Sequence, residues 1–194
     1  QPFSAFAGNP LLIDPEPLRS EGLLTDDELA PSPPFPCDHV SYGDVMAYKG
    51  DILRRSYERL LQRPDHALPP GMSDYNERNA SWLDDYALFM ALKAHHNWAS
   101  WAEWDPDIAL RRPGALTFWR QRLAYEVDYT KYLQFVFEQQ WRAAKQYAND
   151  AGITIIGDMP IFVGHDSADV WGHQDLFQLD ERGYPTVVAG APPD

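Results

Sequence analysis

Asn149-Asp150-Ala151-Gly152-Ile153-Thr154-Ile155-Ile156-Gly157-Asp158 is the stretch whose reading decides the fold class. Gly152 supplies a helix stop, because a glycine just past the last helical turn adopts the left-handed conformation that other residues resist. Ile153 to Ile156 is then a continuous β-branched run, the composition of a strand buried on both faces as in parallel sheets. Helix, glycine stop and buried strand together predict an α/β fold. The strand ends in Gly157-Asp158-Met159-Pro160. In folds that alternate strands and helices, functional side chains gather at the C-terminal strand ends, so Asp158 is where a working carboxylate would sit. The alternative of equal weight is an aspartate that closes a turn before a proline.

Upstream, Trp119, Leu123, Val127, Leu133, Phe137, Trp141, Ala144 and Tyr147 recur at helical spacing and predict a long helix over 117–148, broken near Asp128-Tyr129. Arg112-Pro113-Gly114 reads as a breaker before it, and Trp98 to Trp104 as a tryptophan-rich link. A second helix is predicted over 74–95 from Trp82, Leu83, Tyr86, Phe89, Met90 and Lys93. A third, over 42–61, opens at Ser41 with Asp44 at the third helical position as a capping-box variant. Leu11-Leu12-Ile13 reads as a short extended segment closed by Asp14-Pro15, and the acidic, proline-rich text from Glu21 to Asp38 as a loop. No internal repeat or low-complexity tract interrupts the chain.

The chain has 194 residues, 44% hydrophobic, enough for a sizeable core. A net charge of −13 with no basic stripe argues against nucleic acid as a partner. The only cysteine, Cys37, excludes an internal disulfide and points to a reducing compartment; it reads as a plain loop thiol. No apolar run approaches the roughly 18 residues of a membrane span, and no signal peptide is visible, so a soluble, cytoplasmic protein without membrane contact is expected. Each end reads as that of a piece of a longer protein. The seven tryptophans could stack on sugar faces, although each one singly reads more readily as core.

Beyond Asp158 the text Gly164-His165-Asp166-Ser167-Ala168-Asp169-Val170-Trp171 holds one histidine and two acids, but without the spacing of a zinc or calcium site. Asp166 or Ser167 serves equally well as the cap of a short helix through Trp171. His95 and His96, being adjacent, point about 100° apart on a helix and do not form a metal pair. Gly157 and Gly164 lack the spacing and the lysine of a phosphate loop. No nucleophile–base triad can be argued. Carboxylate chemistry remains, and glycoside cleavage is its commonest use: one acid protonates the leaving oxygen while another attacks or activates water.

Four stretches carry a resemblance: Ser4-Ala5-Phe6-Ala7-Gly8-Asn9-Pro10, Trp82-Leu83-Asp84-Asp85-Tyr86-Ala87-Leu88-Phe89, Ile155-Ile156-Gly157-Asp158-Met159-Pro160-Ile161-Phe162-Val163, and Pro185-Thr186-Val187-Val188-Ala189-Gly190-Ala191-Pro192-Pro193-Asp194. In this order they closely resemble the amylomaltases, the 4-α-glucanotransferases of glycoside hydrolase family 77. The resemblance implies part of a (β/α)8 TIM barrel with a mainly helical insertion subdomain. In that scheme 1–30 is an early barrel segment, 31–113 the insertion, and 114–194 a barrel helix, the third strand and the start of a mobile active-site loop at Gly190 to Asp194. It implies that Asp158 and Asp194 bind substrate, that neither is the nucleophile, and that the nucleophilic Asp, the acid/base Glu and the stabilising Asp resemble nothing in these residues. Their motifs lie further toward the C-terminus, so this chain holds no catalytic residue and no activity of its own is expected. The implied partners are α-1,4-glucans such as maltodextrins, maltotriose, starch or glycogen chains, and neither a metal nor a cofactor is implied. A family 13-like α-glucan hydrolase is the alternative enzyme, and a non-catalytic helical binding module the alternative of another class.

Overall fold

The computed structural model describes residues 3–30, 34–64, 68–158, 161–187 and 190. Its helices are α1 (Pro15–Ser20), α2 (Asp26–Leu29), α3 (Tyr42–Leu61), α4 (Met72–His95), α5 (Pro106–Ala109), α6 (Pro113–Arg122), α7 (Ala124–Asp150) and α8 (Ala168–Gly172). Short 3-10 turns lie at Pro10–Leu12, Trp101–Glu103 and Gln174–Leu176. Two compact units are built from separated stretches: unit one from Gln1–Ala7, Asn79–Lys131 and Gly157–Asp194, unit two from Gly8–Arg78 and Tyr132–Ile156. Among the described residues no helix is long and apolar enough to cross a membrane.

The expected strand is not paired among the described residues. Ile153 to Ile156 belongs to no strand, and the nearest thing to sheet pairing among the described residues is a single antiparallel bridge between Leu179 and Pro185. A strand needs a neighbour to take its N–H and C=O groups, and no described segment offers one to this run. The run is therefore exposed, Ile156 at 90%. The glycine stop before it does form. Gly152 adopts φ 75°, Gly152 N donates to Asn149 O at 2.9 Å and Ile153 N to Ala148 O at 2.9 Å, the paired bonds of a Schellman closure.

Proline misled the reading of several boundaries. Pro15, Pro106 and Pro113 each open a helix, where the missing N–H costs nothing and the fixed φ suits the first turn. Asp14 caps α1 by accepting from Glu16 N at 3.0 Å, and Asp105 caps α5 by accepting from Asp107 N at 3.0 Å. The break in the long helical pattern falls at Leu123, between α6 and α7, and not at Asp128. The α3 bounds agree with the expected 42–61, but Ser41 Oγ donates to the Asp44 carboxylate at 2.6 Å, with no hydroxyl bond to a helix N–H. The true capping box sits in the region read as loop, where Glu28 reaches back to Thr25 N at 2.8 Å at the start of α2.

Unit two buries Ile13, Leu18, Ile52, Leu53, Leu60 and Leu133, with Tyr132 at its centre. The Tyr132 hydroxyl lies 3.1 Å from Ser56 Oγ, and burial pushes it up to about 12, so it stays a neutral hydrogen-bonding group. Arg59 on α3 grips the Glu28 carboxylate with both terminal nitrogens, at 2.7 and 2.8 Å, and also donates to Leu23 O at 3.0 Å. Unit one buries Leu83, Leu88 and Leu92 of α4 together with Trp101, and Phe89 of α4 packs on Trp104 and Trp171 at 5.5 and 5.9 Å.

The Arg59 hydrogen bonds, ahead of the opposing effect of burial, hold the Glu28 carboxyl down at about 2 from its ordinary 4.5. A folded value below the unfolded one contributes stability that is complete above pH 4.5 and is lost as pH falls toward about 2. Arg59→Met should therefore move the acid-unfolding transition to higher pH, read by far-UV circular dichroism titration below pH 4.5. Superimposable acid curves for the two proteins would contradict this.

Candidate functional site

Asp158 leaves the exposed run with its side chain in solvent, and it makes no hydrogen bond or ion pair among the described residues. Asp194, its expected companion, lies outside the described residues. Ile161 and Phe162, just beyond, are 88% and 75% exposed.

Order begins a few residues later, and unit one supplies it. Asp166 accepts from Lys93 Nζ at 2.6 Å through one oxygen and from Trp101 N at 3.3 Å through the other. Lys93 is only 1% exposed, and its ammonium also donates to Trp98 O at 2.9 Å and Ala99 O at 2.8 Å, so all three protons are used. Trp101 Nε1 donates to His165 O at 2.7 Å, and His165 Nε2 donates to Gly183 O at 2.7 Å. Ser167 then caps α8 as the sequence suggested, accepting from Val170 N at 3.3 Å. Asp169, inside α8, accepts from Ser4 Oγ at 2.9 Å and Ala5 N at 2.7 Å, while Ala168 N donates to Phe3 O at 2.8 Å. Trp171 is fully buried, with its ring under the Arg111 guanidinium at 4.3 Å and its Nε1 donating to Ile108 O at 3.1 Å. Arg111 and Arg120 share Asp85, at 2.7 and 3.2 Å, and Lys131 pairs with Asp84.

This wiring sorts the acids. Asp84, Asp85, Asp166 and Asp169 neutralise cations or accept from fixed N–H and O–H donors, which suits structure and leaves none of them as an unencumbered nucleophile. Asp158 is exposed and carries no such bond among the described residues. Among the described residues no group of three or more His, Cys, Asp or Glu side chains could hold a metal ion. His96 stacks on Trp104 at 5.3 Å, and burial, then the neighbouring His95, holds its imidazole below the usual histidine range. Sequence reading missed the Lys93–Asp166 pair, although a signal was present: Lys93 falls in the apolar phase of α4, where a lysine must find buried acceptors.

Two of the motif stretches, 4–10 and 82–89, meet in this unit. Phe6 stacks on Trp82 at 6.1 Å and Phe3 approaches Phe89 at 6.1 Å, so the opening residues lie on α4 while their backbone holds α8. A model of the glycoside hydrolase 77 family, described as 4-alpha-glucanotransferase, matches residues 1–194. The chain belongs to this 4-alpha-glucanotransferase family. It is 44% identical over 193 residues to the 4-alpha-glucanotransferase of Synechocystis, covering 99% of this chain and 38% of the relative. To that of Thermus thermophilus it is 44% identical over 194 residues, 100% of this chain and 38% of the relative. The chloroplastic/amyloplastic enzyme of Solanum tuberosum is 37% identical over 98% of this chain and 33% of its own length. Among solved structures, an amylomaltase from Streptococcus agalactiae in complex with acarbose superimposes with a TM-score of 0.91 at 37% identity, over 100% of this chain and 39% of that one. The chain thus spans between 33% and 39% of the length of these relatives.

Within the family frame, the Lys93–Asp166 pair fixes the loop that follows the Asp158 segment. Lys93→Met keeps the stem volume but leaves the carbonyls of Trp98 and Ala99 without their donor while Asp166, 37% exposed, is solvated, and should destabilise the fold by about 2 kcal/mol, the order expected for unsatisfied acceptors. Urea unfolding followed by tryptophan fluorescence measures it. A midpoint unchanged from the parent would mean that solvent satisfies these groups already.

Proposed function

We propose that the full-length polypeptide is a 4-α-glucanotransferase of the amylomaltase type, which moves α-1,4-glucan segments between maltodextrins, starch or glycogen chains. The observation that carries this reading is family similarity that runs unbroken along all 194 residues, through every stretch singled out in the sequence. The acarbose bound by the Streptococcus agalactiae relative supports an α-glucan-like ligand. In the proposed scheme 1–30 is an early barrel segment, 31–113 a helical insertion, and 114–194 a barrel helix with the third strand of a (β/α)8 barrel. The exposed isoleucines of 153–156 then belong against strands contributed by the remainder of the polypeptide, where apolar faces and open backbone groups find partners. The protein acts in the cytoplasm and requires no cofactor.

The reaction is retaining. A carboxylate outside these 194 residues attacks the anomeric carbon while an acid protonates the departing oxygen, and the 4-hydroxyl of a second glucan resolves the covalent intermediate as the same acid, now a base, takes its proton. Asp158 and Asp194 bind substrate hydroxyls, with Gly190 to Asp194 opening the mobile loop that excludes water so that the acceptor sugar prevails. What supports the role for Asp158 is its carboxylate left uncommitted beside a loop in which Asp166 and Asp169 are both fully engaged.

Asp158→Ala in the full-length polypeptide should lower transfer from maltotriose about a hundredfold, the order lost when a substrate is misplaced by an ångström, with circular dichroism unchanged. The 194-residue chain alone should form no maltopentaose. Parent-like kinetics in Asp158→Ala would remove it from the site, and glucose released to water without longer products would assign a hydrolase.

A further inference from the structure

Unit one contains a recess of about 300 Å³, between the 102–110 segment and the turn that follows the 3-10 helix Gln174–Leu176. One side is apolar, with Trp104, Pro106 and Leu110; the other presents Glu181, Arg182 and the Tyr184 ring. Asp158 does not line it. Neither Glu181 nor Arg182 forms a side-chain ion pair among the described residues, so a carboxylate and a guanidinium stand side by side on an otherwise apolar recess.

The turn that carries them is preorganised. Asp180 accepts from Arg182 N and Tyr184 N, each at 2.9 Å, and its backbone closes the turn through Asp180 N to Tyr184 O at 2.7 Å and Gly183 N to Asp180 O at 3.0 Å. Gly183 sits at φ 85° against the Trp101 ring, where a Cβ would come within 2.5 Å, so only glycine serves there. His165 holds the Gly183 carbonyl and lies face to face with Tyr184 at 6.3 Å, which fixes the aromatic wall.

We propose that this recess is an accessory site for a glucosyl unit of an α-glucan, separate from Asp158. The volume is at the low end for small-molecule sites, which suits one or two sugar rings and not a whole chain. A pyranose matches the lining: its C–H face buries against Trp104, Pro106 and Tyr184, and adjacent hydroxyls both donate to Glu181 and accept from Arg182. Opposite charges on the rim favour a neutral ligand over an anion such as a nucleotide, and a purely apolar ligand would desolvate both charges without return. The identity of the sugar rests on the glucanotransferase reading; the shape of the recess does not.

The test is affinity electrophoresis of the full-length protein through gels cast with glycogen, with Tyr184→Ala and the double variant Glu181→Gln/Arg182→Gln alongside, and near-UV circular dichroism to confirm that each is folded. Both changes lie on an exposed turn whose own hydrogen bonds are made by Asp180 and the backbone. Glycogen should retard the parent, with the apparent dissociation constant rising about fivefold or more in Tyr184→Ala, the scale of a lost aromatic contact. Retardation equal to the parent in both folded variants, or no retardation of the parent, overturns the proposal. Transfer from maltotriose by the parent is assayed separately: its absence would sink the glucanotransferase reading, while loss of retardation in the variants would still establish the sugar site.

Discussion

A lysine ammonium with almost no access to water must have all three protons accepted inside the protein, and the arrangement of unit one follows from how Lys93 meets that demand. Two acceptors are the carbonyls of Trp98 and Ala99, turned back toward the helix because Asn97 and Trp98 adopt φ 52° and 64° just past the end of α4. The third is Asp166, which arrives from 73 residues away. Once Asp166 is held, His165 and Ser167 beside it are placed, and with them the Trp101 contact, the α8 cap and the burial of Trp171. One desolvated charge thus ties the end of a helix, a tryptophan-rich link and the loop after the candidate carboxylate into a single structure.

The opening residues depend on a different device. They form no sheet, yet their backbone is not left to water. In unit one Asp169 takes Ala5 N and Ser4 Oγ. In unit two, two glutamines on α7 act as portable peptide groups. Gln134 accepts from Gly8 N and donates to Gly8 O, and Gln140 does the same for Asp14. A side-chain amide has the same donor and acceptor as a strand edge, so an irregular segment can run along a helix with its polar groups satisfied.

Much of the helical architecture was readable because it is local. The period of Ile52, Leu53 and Leu60 located α3, and Gly152 located the end of α7, since each effect acts within a turn or two of chain. Prolines at 15 and 113 were misread as a closing turn and a breaker because the same missing N–H that stops a helix interior is harmless at its first position, and at Pro15 the preceding Asp14 cap marks the difference. For the site, the sequence singled out Asp158 and argued against a metal at His165, Asp166 and Asp169, but left their roles beyond a helix cap unassigned. The structure commits Asp166 to Lys93 and Asp169 to the N-terminal stretch, contacts that no spacing rule contains.

What the sequence by itself determined is the set of helices with strong period, the glycine stop before 153, and membership of a family whose signature stretches it carries in order. Tertiary structure alone decided which acids are spent on structure. Periodicity reports neighbours three or four residues apart, whereas the partner of a charged group is whichever counter-charge or donor the fold delivers, here across 73 residues for Lys93 and Asp166 and 165 for the Ser4 hydroxyl and Asp169. The isoleucine run shows the same limit from the other side. Its composition marks it for burial, but a strand exists only when another backbone lies beside it, and among the described residues none does.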